Sequence, residues 1–541
     1  MKHYILQHKR EVYEYTAAMI VMELLTVYSA TLNADIINAL IKGKLTLFLT
    51  KTVTLLIVWG FIVTITYWGA IFKEKAIQNI DISIRLDLVS TLSSKSYADY
   101  NSRSTGVYES WINNDIQLIN DQGLSVFFSI IPAIFGTIFA ILTLFSYHWS
   151  LAISSMILAA LIILTPKVFD RIVSLSNRRL TSENEKFVKT TQDSLDHFNL
   201  LYTFKSLSYL TNSIFSSSSA LKHAYVEREK SQSKILATGF IGNVISQVLL
   251  IGLSGFLAIR RIVTIGTLSA TGSLSGNIFN NLGSLSNNLG MIRGVDPIFM
   301  KFENERKKTT QPKQRPIQDN DLEFTSISLI DVTYSYHKQQ PTLQHINYQF
   351  NLNKKYLILG ESGAGKTTLL RIIAGYYRDY QGKVFLGQYD LQDCRSSSIN
   401  AKILYLDQNP QALNASIRKN LALTDTYTDE QLIRVLLKVK LIADKEDGAS
   451  FLEKRAGQDG SNLSGGQLQR LALARGLLRH ISIILLDEGT SSIDATNAIA
   501  IENMLLREPN LTLIMVSHTP HDNNKNQFDK VIHFDHLNHG H

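Results

Sequence analysis

Between residues 360 and 367 the chain reads GESGAGKT, a fit to the pattern G-x-x-x-x-G-K-[ST], and the chemistry of that spacing is phosphate binding. Gly360, Gly363 and Gly365 let the backbone amides of a tight loop wrap a β-phosphate, with Glu361, Ser362 and Ala364 between them and Thr368 just beyond. Lys366 reaches the β- and γ-phosphates, and Thr367 offers its hydroxyl to Mg²⁺. The elements that must hold such a loop stand on either side of it. KKYLIL is a strand, and KTTLLRIIAGYY is a helix whose N-terminus adds partial positive charge. Short apolar runs alternate with helix-like segments over residues 325–541, which marks an α/β domain. The charged segment 302–324, with two prolines, reads as the linker leading into it.

NLSGGQLQRLALARGLLRHISIILLDEGTSSID (462–494) specifies the kind of phosphate chemistry. With LSGGQ (463–467) following the phosphate loop and preceding IILLDE (483–488), the sequence resembles the ATP-binding-cassette (ABC) transporters, whose signature LSGGQ is. The resemblance implies ATP and Mg²⁺ as the bound groups. It also implies that two cassettes pair head to tail, with Ser464 and Gly466 of one at the γ-phosphate held by Lys366 of the other, and with Gly465 and Gln467 also among the nucleotide-binding residues. Asp487 would hold Mg²⁺ through its water shell, and Glu488 would polarise the attacking water as general base. Gln408, in ILYLDQNPQ, resembles the Q-loop residue that touches Mg²⁺ and senses the membrane domain. Asp494 resembles the D-loop contact across the pair, and His518, in LIMVSH, the switch histidine at the γ-phosphate. Tyr336, in VTYSYH, stands where the family stacks an aromatic ring on adenine. Taken singly, such a tyrosine is a packed strand residue and such a histidine a surface group; the shared order of the motifs is what weighs against that. The catalytic Glu and the signature glycines are present, so a homodimer is expected to have two hydrolytically competent sites. Two positions depart from the family pattern: Asp407 replaces the usual Pro before the Q-loop Gln, and Gln458 replaces a Glu before the signature. Both fall where cassette and membrane domain are expected to meet.

The first 300 residues hold nearly all the long uncharged runs. Thr52 to Phe72 gives 21 residues, Gln122 to Pro166 gives 45 and Ile235 to Ile259 gives 25. About 20 residues suffice for a membrane-spanning helix. SYHW (146–149) splits the longest run at a polar, aromatic break of the kind found at membrane interfaces. Residues 15–41 add a less clean span containing Glu23 and Asp35. Residues 265–292, rich in Ser, Gly and Asn, look at first like a flexible linker. Yet Leu274, Ile278, Leu282, Leu285, Leu289 and Ile292 recur at helical spacing, while Asn277, Asn281, Ser284 and Asn288 form a second face. Six spans are thus expected, at 15–41, 52–72, 122–146, 150–166, 235–259 and 265–292. They form an all-α transmembrane domain over residues 1–301, ahead of the α/β P-loop ATPase domain. No cleavable signal peptide precedes them, and the polar, basic N-terminus suits a cytoplasmic start. Lys42, Lys44, Arg260 and Arg261 fall on the outer side, so the positive-inside rule agrees only in part. The net charge of +8 reads as basic loops near anionic membrane lipid and not as nucleic-acid binding. The single cysteine, Cys394, rules out an intrachain disulfide.

Six spans fused to one cassette is the layout of an exporter-type half-transporter, which pairs with a second copy or a related chain. Segment 83–119 resembles the family's first long cytoplasmic loop, with Tyr97 to Arg103 as its small docking helix, and 196–217 resembles the second. The implied function is ATP-driven export of an amphipathic or hydrogen-bonding cargo (a peptide, lipid or drug-like molecule) by alternating access. The expected place is the plasma membrane, with the cassette in the cytoplasm. Glu23 is a candidate cargo contact because an acid in hydrocarbon costs about 2.5–3.5 kcal/mol and should face a cavity or a partner. Asn277, Asn281 and Asn288 are candidates because an amide-lined wall suits a hydrogen-bonding molecule. The same fold also serves import of metal chelates, which is the rival reading. A soluble ABC protein of translation or DNA repair is a third, and the spans argue against it.

Overall fold

The computed structural model describes every residue except 165–169, 311–324, 337–340, 488–494, 518–521 and 539–541. The chain forms two compact units, Met1–Ser93 with Ser104–Lys308, and Ser94–Arg103 with Thr309–His541.

The first unit is helical. Its long helices are Lys9–Ile41, Leu45–Ser93, Ser125–Tyr147, Trp149–Leu164, Asp170–Asp196, Leu207–Ile259 and Thr267–Gly294. Two of them, of 49 and 53 residues, are about 75–80 Å long at 1.5 Å per residue, against a hydrocarbon layer of about 30 Å. The apolar runs 52–72 and 235–259 therefore fill only part of each helix, and the remainder carries the charged residues. Among the described residues four helical stretches are long and apolar enough to cross a membrane: Lys9–Ile41, Leu45–Ser93, Thr105–Tyr147 and Leu207–Ile259. Trp149–Ile162 is apolar but shorter. The 45-residue run breaks at His148, whose extended backbone (φ −165°, ψ 135°) ends one helix as Trp149 begins the next, at the SYHW break.

Residues 267–294 form one continuous helix despite their linker-like composition. Leu274, Ile278 and Phe279 are fully buried in a cluster with Ala30, Leu144 and Leu250 from three other helices. That packing supplies what the low propensity of Gly, Ser and Asn does not. The expected linker 302–324 needs correction at its start, because the helix Asp296–Thr310 takes its first nine residues. Glu303 and Lys307 pair one turn apart at 2.9 Å, and Phe302 packs against Trp111 with ring centroids 6.2 Å apart. Charged, unbranched residues are good helix formers, so a charged segment need not be a loop.

The second unit carries two sheets. Ser326–Tyr334, Leu343–Asn351, Gln381–Leu386 and Tyr389–Asp390 form an antiparallel sheet. The parallel sheet runs Ile403–Leu406, Ile483–Asp487, Thr512–Val516, Lys355–Leu359, Lys530–His533 in spatial order. Its central strands Ile483–Asp487 and Thr512–Val516 are buried throughout, which is why they read as unbroken apolar runs. Cores of Phe350, Leu370, Ile373 and Leu485 on one face, and of Leu436, Leu473, Leu486 and Leu513 on the other, fix the sheet against its helices. The expected docking helix is present over Tyr97–Asn101, N-capped by Ser96, whose hydroxyl accepts from the Asp99 amide at 3.1 Å. It belongs to this unit, and the Tyr97 ring stacks on Tyr376 with centroids 4.1 Å apart.

Candidate functional site

The strand Lys355–Leu359 ends at the glycine loop, and the helix Lys366–Ile373 starts from it. Gly363 and Gly365 have φ of 82° and 107°, values a side chain rarely tolerates. At Gly365 a Cβ would also lie 2.9 Å from the Thr342 carbonyl, whereas at Gly363 it would meet nothing within 4 Å. The loop is thus closed behind and open in front. Lys366 is buried at its base, with Nζ donating to the carbonyls of Gly360 at 2.8 Å and Glu361 at 2.6 Å. Those bonds curl the ammonium back over the loop, where its charge adds to that of the helix N-terminus.

Thr367 and Arg371 lie on one face of this helix, four residues apart; Thr367 addresses the end of the strand Ile483–Asp487, and Arg371 addresses Tyr405 and Asp407 beside it. Thr367 Oγ1 donates to Asp487 Oδ1 at 3.1 Å, and Tyr405 Oη donates to Asp487 Oδ2 at 2.8 Å. Arg371 Nε donates to the Tyr405 hydroxyl at 3.2 Å, and its Nη2 donates to Asp407 at 3.1 Å. Burial pushes the Asp487 carboxyl upward in pKa, against the hydrogen bonds from Tyr405 and Thr367 that hold it down. Burial also opposes the Arg371 charge, but hydrogen bonds to Tyr405 and Tyr377 and the Asp407 carboxylate outweigh it and push its pKa up. A hydroxyl and a carboxylate side by side are the hard oxygen donors that Mg²⁺ takes, and the open loop beside them suits the phosphates it accompanies.

Ser464 caps the helix Gly465–Leu478. Its hydroxyl accepts from the Gln467 amide at 3.2 Å, and Gln467 Oε1 accepts from the Ser464 amide at 2.8 Å. This is a capping box, so S-x-x-Q within the signature is a helix-start signal as well. Ser464 and Gly465 are exposed at the helix tip, while Gly466 is buried. Tyr336 is exposed beside the loop, its hydroxyl 3.1 Å from Thr368 Oγ1 and its ring edge-on to Tyr334 and Tyr377. Gln408 is exposed, and its carbonyl accepts from Gln469 Nε2. The structure thus gathers Lys366, Thr367, Thr368, Tyr336 and Asp487 around one loop. Ser464 to Gln467 form a separate helix tip, and Glu488, Asp494 and His518 lie outside the described residues. Arg371, Tyr376 and Tyr405 escape the motifs. The register Tyr405↔Leu485 carries the missing signal, since it sets Tyr405 on the same sheet face as Asp487.

A family model described as the ABC transporter transmembrane region matches residues 12–282, half of the chain, and one described as ABC transporter matches residues 343–491. The chain belongs to the ABC transporters. It binds ATP and is an ATP-hydrolysing transporter, integral to a membrane. An ATP-dependent lipid A-core flippase of Desulfotalea psychrophila is 26% identical over 546 residues, covering 95% of this chain and 91% of the flippase. The flippase of Salmonella paratyphi A is 25% identical, over 78% of this chain and 73% of its own. The lactococcin transport/processing ATP-binding protein LcnC-like of Lactococcus lactis is 29% identical over 56% of this chain and 42% of its own. In fold the transporter is similar to a bacterial Atm1-family ABC exporter solved with ATP bound, at a TM-score of 0.78, 18% identity, and coverage of 97% and 93%. The fold is that of an ABC exporter half-transporter.

In the transporter's helical unit, Glu23 and Asn281 come together around Gly136. A Cβ on that glycine would lie 2.5 Å from Glu23 Oε2 and 3.3 Å from Asn281 Nδ2. Asn277 and Asn288 are partly buried on the same helix as Asn281. Part of the amide face serves helix–helix bonding: Asn243 Nδ2 donates to Asn280 Oδ1 at 2.6 Å, and Gln247 Nε2 donates to Asn243 Oδ1 at 2.7 Å. Asp35 is paired with Lys51 at 2.8 Å, which accounts for one of the two acids of the first span.

Proposed function

We propose that this transporter exports an amphipathic cargo with hydrogen-bonding groups across the plasma membrane, as a pair of half-transporters made of two copies or of one copy and a related chain. The observation that carries the cargo reading is the meeting of Glu23 and Asn281 around Gly136 in the helical bundle. A carboxylate and an amide brought together there offer directed hydrogen bonds to a polar head, and the surrounding leucine and isoleucine suit an apolar tail. Relatives named as a lipid A-core flippase and a lactococcin transport protein support an exported cargo and lend nothing to the metal-chelate import reading.

Each cassette contributes its glycine loop and Lys366 to hold the β- and γ-phosphates, and Tyr336 to stack on adenine. Thr367, Gln408 and Asp487 would hold Mg²⁺, which supplies charge neutralisation along the phosphates when bound. Glu488 accepts a proton from the attacking water, and His518 orients the γ-phosphate. Ser464 and Gly466 of one copy, with Asp494 as the D-loop contact across the pair, complete the site of the other, so ATP binding draws the pair together. The cytoplasmic cassettes then bias the spans from inward- to outward-facing, and hydrolysis resets them. The cargo class is tested by ATPase stimulation in lipid nanodiscs over a panel of glycolipids, amphipathic peptides and lipophilic cations. Stimulation by amphiphiles with hydrogen-bonding heads is expected; stimulation by lipophilic cations alone overturns this reading of the cargo.

A further inference from the structure

A chain of contacts inside the cassette unit joins the Asp487 carboxylate to the short helix Tyr97–Asn101. The Tyr97 ring lies nearly flat on Tyr376, with 24° between their planes. Tyr376 meets Tyr405 edge-on, with centroids 5.4 Å apart at 76°. Tyr405 then closes the path with its 2.8 Å hydrogen bond to Asp487 Oδ2. Tyr376 sits in the turn that ends the phosphate-loop helix, and Tyr405 on the strand beside Asp487. Arg371 braces the middle of the path by bonding both Tyr405 and Asp407, so the residue that replaces the family's proline is tied into it. Aromatic rings have only two side-chain torsions, and an edge-to-face contact fixes distance and tilt together. A displacement of Tyr97 must therefore be answered at Tyr405 or break a ring contact.

We propose that Tyr405 is a positioning residue for the Asp487 carboxylate, and that Tyr376 and Tyr97 convey the setting of the helix Tyr97–Asn101 to it. This route runs beside the Q-loop residue and does not require it. Residues 94–103 connect the long helix Leu45–Ser93 to the stretch beginning at Thr105, so the path starts at a segment whose two ends are the transporter's own helices. The proposal rests on the reading of Thr367 and Asp487 as the pair that holds Mg²⁺.

The test is calorimetric titration of the full chain in lipid nanodiscs with ADP, in the presence and absence of Mg²⁺. The quantity read is the factor by which Mg²⁺ tightens ADP. Tyr405→Phe keeps the ring and loses the hydroxyl; it is expected to cut that factor about fivefold, the worth of one ordinary hydrogen bond, with Mg²⁺-free ADP affinity unchanged. Tyr97→Ala is expected to cut it about twofold and to add nothing in a Tyr405→Phe background. Tyr97→Phe and Tyr376→Phe, which keep the rings, should match the unmodified chain. If Tyr97→Ala does not fold, Tyr376→Leu takes its place in the same cycle. An unchanged factor in Tyr405→Phe overturns the positioning role, and full additivity of the two substitutions overturns the connection. Mg²⁺ that fails to tighten ADP even in the unmodified chain overturns the reading of Asp487 itself, and the proposal with it.

Discussion

Two hydroxyls hold the Asp487 carboxylate, one on each oxygen: Thr367 from the phosphate-loop helix and Tyr405 from the neighbouring strand. A carboxylate fixed in this way presents the same edge to the loop whatever the solvent does, which is the preorganisation that phosphoryl transfer needs. In the proposed mechanism the chemistry turns on Glu488, the next residue in the chain. Glu488→Gln is expected to retain ATP while lowering turnover by about 100-fold or more, the usual worth of a positioned base. Phosphate release together with filter-bound ATP checks both, and unimpaired turnover would deny Glu488 its role. At this scale the sequence is most readable where function is contiguous: Gly360 to Thr367 is one local loop, and its glycines announce their backbone angles. Tyr405 and Arg371 are invisible to such a reading, because Tyr405 meets Asp487 across 82 residues of chain, Arg371 meets Tyr405 across 34, and the first meeting depends on strand register.

Among the elements, the helix Thr267–Gly294 is the most informative. Period separated it from a linker, since its leucines recur every three or four residues, and the buried Leu274 and Ile278 account for that period. Its start is set by one glycine. Gly266 donates its amide to Asn38 Oδ1 at 2.9 Å, and a Cβ there would lie 2.1 Å from the Ala34 carbonyl oxygen. Backbone cannot yield as a flexible side chain can, so Gly266→Ala is expected to cost about 1–3 kcal/mol. A melting temperature several degrees lower in detergent is the readout; an unchanged one would mean that the two helices separate there at no cost. Composition misled where period was not consulted. Two prolines at 312 and 316 and many charges made 302–324 look like a linker, yet residues 302–310 are helical, held by Phe302 against Trp111 and by the Glu303–Lys307 pair.

For the whole molecule, the fused layout of helical unit and cassette was legible from two different kinds of signal. Uncharged run length marks a membrane domain without regard to order, whereas the cassette is marked by order and spacing. Neither signal shows that the helices Leu45–Ser93 and Leu207–Ile259 continue far past their apolar runs, because a charged helix surface and a charged loop have the same composition. Direction of transport is likewise absent from the cassette motifs, which serve import and export alike. The measurement that tests the central claim most directly is therefore made on inside-out membrane vesicles containing the transporter, with ATP added outside and a labelled amphiphile chosen from those that stimulate its ATPase. Export predicts ATP-dependent accumulation of the label in the vesicle lumen, abolished by Lys366→Ala; ATP-dependent loss of label from the lumen would contradict it.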